Sequence, residues 1–589
     1  MNIGAAFGDH IKTGKARRKY SNPEQANAMR PGIILLSLFI FPAMVLLKLF
    51  DIQLVHGGYY RSISDSNRTK TNILYPARGV IFDRSGVPLV INSPGFEKTD
   101  GEEKDSIPRE QAMELNQKDA KLEISSKRYY PFKSTLSHVL GYVGRISPQE
   151  EALPEYAELS TKDLIGKSGI ERYYDTLLRG THGKELVEVD AMGGKIRTLG
   201  TSDPIPGQDI HLTIESNLQK AADDALPVGK KGVVIVSSPH GEVLAMVSRP
   251  SFDPNLFTMG DTYKASSSAY QSIESILADN ENQPLMDRAI SGVYPPGSTF
   301  KLITAAVGLE KKIIDSRYTV EDTGVIKVGE FSFENWYFLE QGKKDGMVNV
   351  VKAISRSNDI FFYKLAEKIS VDTLSQMASQ FGVGKKMEID LPSESRGLLP
   401  TKSWKTRVIK EPWYLGDTYH YGIGQGYLLT TPLQVNSWTA TIANGGFVYK
   451  PHLLKSEGTG EGTKILTENT VALIRQGMID SCKPGGVAWP LFEFRIQNSE
   501  LRIDGKNYLA VKNATGAAVR NDLREVSIAC KTGTAQHGGE DTLPHAWITL
   551  FAPAYNPQIV VTVLIESAGQ GSNEAGPVAK KVLEEWFSE

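Results

Sequence analysis

The sequence predicts an α+β protein in which an antiparallel sheet flanked by helices is preceded by a mixed α/β segment and one membrane-spanning helix. Three observations carry this expectation. An uncharged apolar run lies near the N-terminus, short strand-like pieces broken by turn residues follow it, and the C-terminal block has strands at both ends with helices between. At 589 residues the chain has room for about two to four domains.

Composition excludes several classes. Sixty-six Lys and Arg against 68 Asp and Glu give a net charge of −2, which lacks the basic footprint of a nucleic-acid binder. A 40% hydrophobic share with 23% charge argues against global disorder. Two cysteines cannot build a disulfide scaffold or a four-Cys zinc module, and the ten histidines show no metal-ligand spacing.

The apolar run GIILLSLFIFPAMVLL covers Gly32–Leu47, and residues 31–50 reach the roughly 20 residues that a bilayer-spanning helix needs. Flanking charge sets its orientation. Residues 11–30 carry Lys12, Lys15, Arg17, Arg18, Lys19 and Arg30, against Arg61, Arg68 and Lys70 over 51–70. The positive-inside rule then keeps residues 1–30 as a cytoplasmic tail and exports the rest. KLFDIQLVHGGYY offers no small-x-small cleavage site, so an uncleaved single anchor is expected.

Residues 51–220 read as a mixed α/β domain, with NILYPARGVIF, HVLGYVGRI and ELVEVDAM as strand-like pieces. The acid-rich stretch from Asp100 to Lys121 reads as an exposed helix or loop. Residues 221–589 form the second domain. GVVIVSS, the turn Pro239-His240-Gly241 and EVLAMVS predict a β-hairpin. FKLITAAVGLEKK, VVKAISRSNDIFFYKLAEKI and ENTVALIRQGMID are helical in pattern. REVSIACKTGTAQ, HAWITLFAP and QIVVTVLIES return to strand, and GPVAKKVLEEWFS closes as an amphipathic helix. The first and last strands are expected to meet in one sheet.

Three short motifs in this second domain carry chemistry. In Tyr294-Pro295-Pro296-Gly297-Ser298-Thr299-Phe300-Lys301 the Pro-Pro-Gly run forces a helix to begin near Ser298. That spacing stacks Lys301 beside the Ser298 hydroxyl. A lysine whose pKa is lowered by burial can take the serine proton, and the helix N-terminus offers N–H groups to an oxyanion. Ser357-Asn358-Asp359 interrupts a helical pattern, as a cap does and as functional sites often do. Lys531-Thr532-Gly533-Thr534 lies in a strand whose glycine suggests close approach of another backbone. An edge strand there would offer main-chain hydrogen bonds to an extended peptide, with a cation and hydroxyls for a carboxylate. Taken singly, an N-cap, a helix break and a bulged surface strand explain them as well.

Their order, Ser-x-x-Lys, Ser-x-Asp and Lys-Thr-Gly, resembles that of class B penicillin-binding proteins, bacterial cell-wall D,D-transpeptidases. Arg78-Gly79-Val80-Ile81-Phe82-Asp83-Arg84, Arg128-Tyr129-Tyr130-Pro131, His138-Val139-Leu140-Gly141-Tyr142 and the run from Ile165 to Glu171 resemble the family's pedestal segments. Gly424-Gln425-Gly426, Thr431-Pro432-Leu433-Gln434 and His545-Ala546-Trp547 resemble landmarks of its catalytic domain. YPPGSTFK and SNDIFFYKLA are closer to the elongation (PBP2-like) type than to the division type.

The resemblance implies a penicillin-recognising, β-lactamase/transpeptidase-like domain on a pedestal of the dimerisation type. It implies Ser298 as nucleophile toward a D-Ala-D-Ala stem peptide, Lys301 as base, and Ser357 as proton relay. Asp359 occupies a position where relatives have Asn or Asp, and Lys531 completes the proton network. Asn358, Thr532, Gly533 and Thr534 would contact substrate, with Ser298 and Thr534 N–H groups forming the oxyanion hole. β-Lactams would trap Ser298, a second stem peptide would supply the acceptor amine, and a SEDS-type membrane glycosyltransferase would be the partner. No cofactor is implied, and residues 320–350 hold no His or Cys, so no metal is expected beside the site. Only about 35 residues separate Asn92 from Arg128, which leaves a full-size head region in doubt. The chain ends soon after its last helix, without an appended module. Cys530, next to Lys531, is expected to point away from the pocket and to be reduced and buried, with a Cys482–Cys530 bridge as the alternative. A carboxypeptidase, a β-lactamase or β-lactam sensor, and a non-catalytic scaffold are the competing readings.

Overall fold

The structure, a computed structural model, describes residues 29–100, 103–107, 122–160, 163–190, 192–260, 263–266, 269–456, 460–492, 495–496, 501–503, 506–508, 524–539 and 542–588. Residues 1–28, with most of the basic flank, and 108–121, in the acid-rich stretch, lie outside them.

The chain forms two compact units, Met1–Tyr75 with His182–Pro204, and Pro76–Thr181 with Ile205–Glu589. The segment 51–220 is thus divided between them. In the first unit an apolar helix spans Met29–Phe50, and Ile34–Val55 is long and apolar enough to cross a membrane. Leu38, Phe41 and Leu47 stand exposed along it, as lipid-facing side chains would. Thr69–Leu74, Gly183–Val189 and Lys195–Ser202 pair as an antiparallel three-stranded sheet, in which Glu188 accepts from Arg68 and Arg197.

In the second unit three of the four segments that resemble pedestal motifs converge on one buried charge cluster. Arg78 Nε lies 2.7 Å from Glu171 Oε2, Arg78 Nη2 2.8 Å from Asp175, and Arg128 Nε 2.7 Å from Glu171 Oε1. Asn92 ties the two arginines together, donating to Arg78 O and accepting from Arg128. Sequence segments that look unrelated are thus a single ion-pair knot. Two expectations here need correction. Within HVLGYVGRI the first part is helical, Ser137–Leu140, and Gly141, at φ +71°, separates it from the strand Val143–Arg145; His138 Nε2 lies 2.8 Å from Pro284 O. Within the acid-rich stretch Glu103–Ile107 is a strand paired with Phe96–Asp100, since main-chain pairing is indifferent to the polar composition.

A sheet of the second unit has five antiparallel strands: β1 Gly232–Ser237, β2 Val243–Arg249, β3 Ala529–Ala535, β4 His545–Ala552 and β5 Ile559–Ile565. Their order is β2-β1-β5-β4-β3, so the first hairpin does meet the last strands, through β1 and β5. Both faces are covered, which explains the near-continuous apolar runs. Val234, Val236, Ile548, Leu550, Val561 and Val563 pack with the C-terminal helix side. Val233, Ile235, Trp547, Phe551, Val560 and Leu564 face the helical core. That core is built on α1 Lys301–Glu310, α2 Val350–Ser355, α3 Asp359–Ile369, α4 Pro432–Ala443 and α5 Glu468–Ser481; α6 Gly571–Ser588 covers the opposite face. A buried hydroxyl ladder crosses the sheet beneath α4, running Ser237, Asn436, Thr562, Thr549 and Thr439 with successive contacts of 2.7–3.3 Å.

Candidate active site

The turn that carries Ser298 is built as its sequence dictates. Gly297–Phe300 is a 3-10 turn that runs directly into α1, so Ser298 and Lys301 share the first turn. Two contacts hold this turn: Gly297 N donates to Gly424 O at 2.8 Å, and Trp547 Nε1 donates to Pro295 O at 3.1 Å. Gly424 has φ +79°, and a Cβ there would lie 2.1 Å from Gly297 O, so only glycine fits. Gly424-Gln425-Gly426 and His545-Ala546-Trp547 therefore support the turn that carries Ser298. Thr431 to Gln434 is a capping box at the start of α4, with Gln434 also donating to the carbonyls of Gly382, Lys385 and Arg396.

Lys301 is fully buried. Its Nζ donates to Asp359 Oδ1 at 2.6 Å, to Ser357 O at 2.8 Å and to Ser357 Oγ at 3.4 Å. Lys531, also fully buried, donates to Ser357 Oγ at 2.8 Å and to Thr532 O at 2.9 Å. Two amines thus converge on one hydroxyl. The Ser298 hydroxyl, only partly buried, makes no hydrogen bond among the described residues.

Burial pushes the Lys301 pKa below the usual 10.5, against the opposing pull of Asp359. Lys531 goes further down: burial is the main cause, the Lys301 charge adds to it, and Asp359 opposes. One carboxylate facing two buried amines disfavours the doubly protonated state. A neutral lysine beside Ser298 is what proton abstraction requires.

The helical pattern breaks between α2 and α3 as the Ser-Asn-Asp run suggests. Ser357 sits at φ +54°, a left-handed conformation that costs a non-glycine residue energy and turns its hydroxyl toward the lysines. Asn358 is the N-cap of α3, its Oδ1 accepting from Phe361 N at 3.0 Å. Its Nδ2 donates to Asp322 and Asp345, so both side-chain donors are committed within the protein. Asn358, expected from the sequence to contact substrate, uses its side chain here to hold the loop. Asp359 Oδ2 accepts from Trp336 N at 3.0 Å, and Asp359 N donates to Asn335 Oδ1 at 3.1 Å.

β3 is the edge strand, with no strand beyond it among the described residues. Alternation puts Lys531 and Gly533 on the face that includes Ala529 and Ala535, toward the helical core, and Cys530 on the other. Close approach explains Gly533: a Cβ there would lie 3.1 Å from Thr299 Cγ2 and 3.2 Å from Pro296 O. Thr532 is buried and Thr534 exposed, with Thr534 O accepting from Gln425 Nε2 at 3.4 Å. Cys530 is bridged to Cys482, at the C-terminal end of α5, with Cα atoms 6.0 Å apart. That corrects the expectation of two reduced cysteines: a separation of 48 residues in sequence concealed the neighbours. Sequence reasoning also missed Asp322, Asn335, Trp336 and Asp345, which lie in a weakly patterned stretch that holds no His or Cys. The turn signal Asp322-Thr323-Gly324 was the one visible cue.

A model of the penicillin-binding protein transpeptidase domain matches residues 231–584, and one of the penicillin-binding protein dimerisation domain matches residues 97–212. The chain belongs to the penicillin-binding protein family. It is 34% identical to the peptidoglycan D,D-transpeptidase MrdA of Acinetobacter baumannii, over 94% of this chain and 86% of that protein. It is 32% identical to MrdA of Escherichia coli, over 98% and 96%. Among solved structures, Helicobacter pylori PBP2 in complex with MreC superposes with a TM-score of 0.73 at 28% identity, covering 88% of this chain and 99% of that one. Pseudomonas aeruginosa PBP2 in complex with WCK 5153 gives 0.66 at 34% identity, covering 88% and 97%. These relatives place this penicillin-binding protein in class B, with the PBP2-like members.

Proposed function

We propose that this chain is a membrane-anchored peptidoglycan D,D-transpeptidase of the elongation type, acting through an acyl-enzyme on Ser298. The observation that carries the assignment of roles is the meeting of two buried amines, Lys301 and Lys531, on Ser357 Oγ, one turn from an unpartnered Ser298 hydroxyl. Ser298 Oγ attacks the carbonyl of the penultimate D-Ala while its proton passes to neutral Lys301. The oxyanion is met by the N–H groups of Ser298, at the start of a helix, and Thr534. Ser357 hands a proton to the departing D-Ala nitrogen and is resupplied by the lysines. An acceptor amine from a second stem peptide then attacks the acyl-enzyme, releases Ser298 and forms the crosslink. Thr532 and Thr534 bind the terminal carboxylate beside Lys531, and the free edge of β3 pairs with the extended peptide. A β-lactam presents the same amide and carboxylate and stays attached to Ser298.

The surplus of Lys and Arg before the apolar helix supports a cytoplasmic N-terminus and an extracytoplasmic catalytic domain. The apolar helix near the N-terminus supports a partner in the membrane, and we assign that partner to the SEDS class of glycosyltransferases. A similar solved structure, covering 94% of this chain with a TM-score of 0.71, is described as a peptidoglycan synthase complex that coordinates polymerisation and crosslinking. The domain reading follows as anchor 31–50, pedestal 51–220 and transpeptidase domain 221–589. Lipid-linked nascent peptidoglycan given to the full chain with its polymerase should yield crosslinked dimers. Free D-Ala without dimers would show a carboxypeptidase instead.

A further inference from the structure

We propose that Asp322 is a positioning residue for acyl transfer, a buried carboxylate that fixes Asp359 and Ser357 against the two lysines by way of Asn335 and Asn358. The proposal rests on the roles given above to Ser298 and Lys301. Asp322 is 2% exposed, and Asn335 and Asn358 are fully buried. Its carboxylate accepts four N–H donors: Gly324 N on Oδ1 at 2.8 Å, and Asn335 Nδ2 at 2.9 Å, Asn358 Nδ2 at 3.0 Å and Asp345 N at 2.8 Å on Oδ2. None comes from a cation. Three separate stretches of chain are thereby tied to one side chain.

What those stretches hold is the site itself. Asn335 Oδ1 receives Asp359 N, and the residue after Asn335, Trp336, donates its N–H to Asp359 Oδ2. Asn358 Oδ1 caps α3, whose first residue is Asp359. With both backbone and carboxylate pinned, the remaining oxygen of Asp359 is left on Lys301 at 2.6 Å. Ser357, the residue before Asn358, keeps its left-handed backbone only if its neighbours are held. A second arm closes the knot: Arg356 Nε pairs with Asp345 at 3.0 Å, and Arg356 O accepts from Trp336 Nε1 at 2.9 Å. The two asparagines turn one carboxylate into control of a proton-transfer pair that it does not touch. Fully satisfied buried networks of this kind fix geometry, and a misplacement near 1 Å can cost about a hundredfold in rate.

The test uses the full chain with a fluorescent penicillin, resolving the maximal acylation rate, the reversible binding constant, the fraction of sites labelled and the pH at half-maximal rate. Asp322→Asn keeps the volume but turns an NH2 toward N–H donors, and its maximal rate should fall about tenfold. Asp322→Ala should lose about a hundredfold. In both, reversible binding and the labelled fraction hold, and the pH midpoint moves to lower values as Asp359 loosens from Lys301. A merely structural role would lower the labelled fraction and leave rate constant and midpoint alone, and that result overturns the proposal. Asn335→Ala, which removes only the link to Asp359, is the deciding variant where Asp322→Ala does not fold: a wild-type rate and midpoint refute the proposal, and a slowed rate with a shifted midpoint supports it. Ser298→Ala serves as the control, since labelling that survives there defeats the underlying assignment and not this one alone.

Discussion

Replacing Asp359 by Asn removes the one carboxylate that faces the two buried amines while preserving shape. Its Oδ1 lies 2.6 Å from Lys301 Nζ. At that distance Coulomb's law gives about 6 kcal/mol at an effective dielectric near 20, and about 1.6 kcal/mol at the bulk-water value. The protonated form of Lys301 would lose that stabilisation, which lowers its pKa further. Lys301 must be neutral to take the Ser298 proton, so acylation rises with pH through the lysine's pKa. The rising limb therefore moves to lower pH in Asp359→Asn. Trp336 N still finds an oxygen on the new amide, so the plateau should fall by no more than about tenfold. The assay is the second-order acylation rate by a fluorescent penicillin, followed from about pH 5 to about pH 10. A midpoint that stays in place, or moves to higher pH, would refute the assignment of Lys301 as the titrating base.

Other parts of the molecule can be tested in the same way. Glu171→Ala leaves Arg78 and Arg128 buried without their shared carboxylate, and urea unfolding should show a loss of about 3–5 kcal/mol. A smaller loss than about 1 kcal/mol would mean that the cluster is not the pedestal's anchor. Gly424→Ala drives a methyl group into Gly297 O, and acylation should slow at least about tenfold with near-wild-type circular dichroism. An unchanged rate would separate that loop from the nucleophile turn. His138 is buried and its pKa is pushed down from 6.5 to about 4 by loss of hydration. The folded form then binds fewer protons than the unfolded one between those values, so stability is full above about pH 6.5 and falls as pH drops toward 4. The loss at pH 5 should be about 2 kcal/mol, and His138→Gln should flatten that part of the pH dependence of the urea midpoint.

The sequence was most informative where chemistry and backbone rule coincide. Pro-Pro-Gly before Ser298 could only start a helix, and Ser-Asn-Asp within an apolar periodic run could only break one, so both turns were legible. The short apolar runs IVVTVLI and AWITLFA predict strands, and the Pro239-His240-Gly241 turn predicts the hairpin that begins the sheet. Pairing across the chain was less visible. Nothing local tells that Cys482 and Cys530 are neighbours, or that Arg78, Arg128 and Glu171 form one knot, because those contacts join segments tens of residues apart. The role of Asn358 was hidden because a motif gives residue order and not side-chain direction; helix capping claimed its oxygen and Asp322 one of its hydrogens. The stretch from Asp322 to Asp345 carries no strong periodicity. Its function lies in hydrogen bonds to buried asparagines that hydrophobic patterning cannot report.

Everything assigned to the site depends on Ser298 carrying the acyl group. Labelling the full chain with a fluorescent penicillin, digesting it and mapping the adduct by mass spectrometry tests this most directly. A single slowly lost adduct is predicted on the peptide that contains Ser298, and none on folded Ser298→Ala. An adduct on another residue, or one that persists in Ser298→Ala, would contradict it.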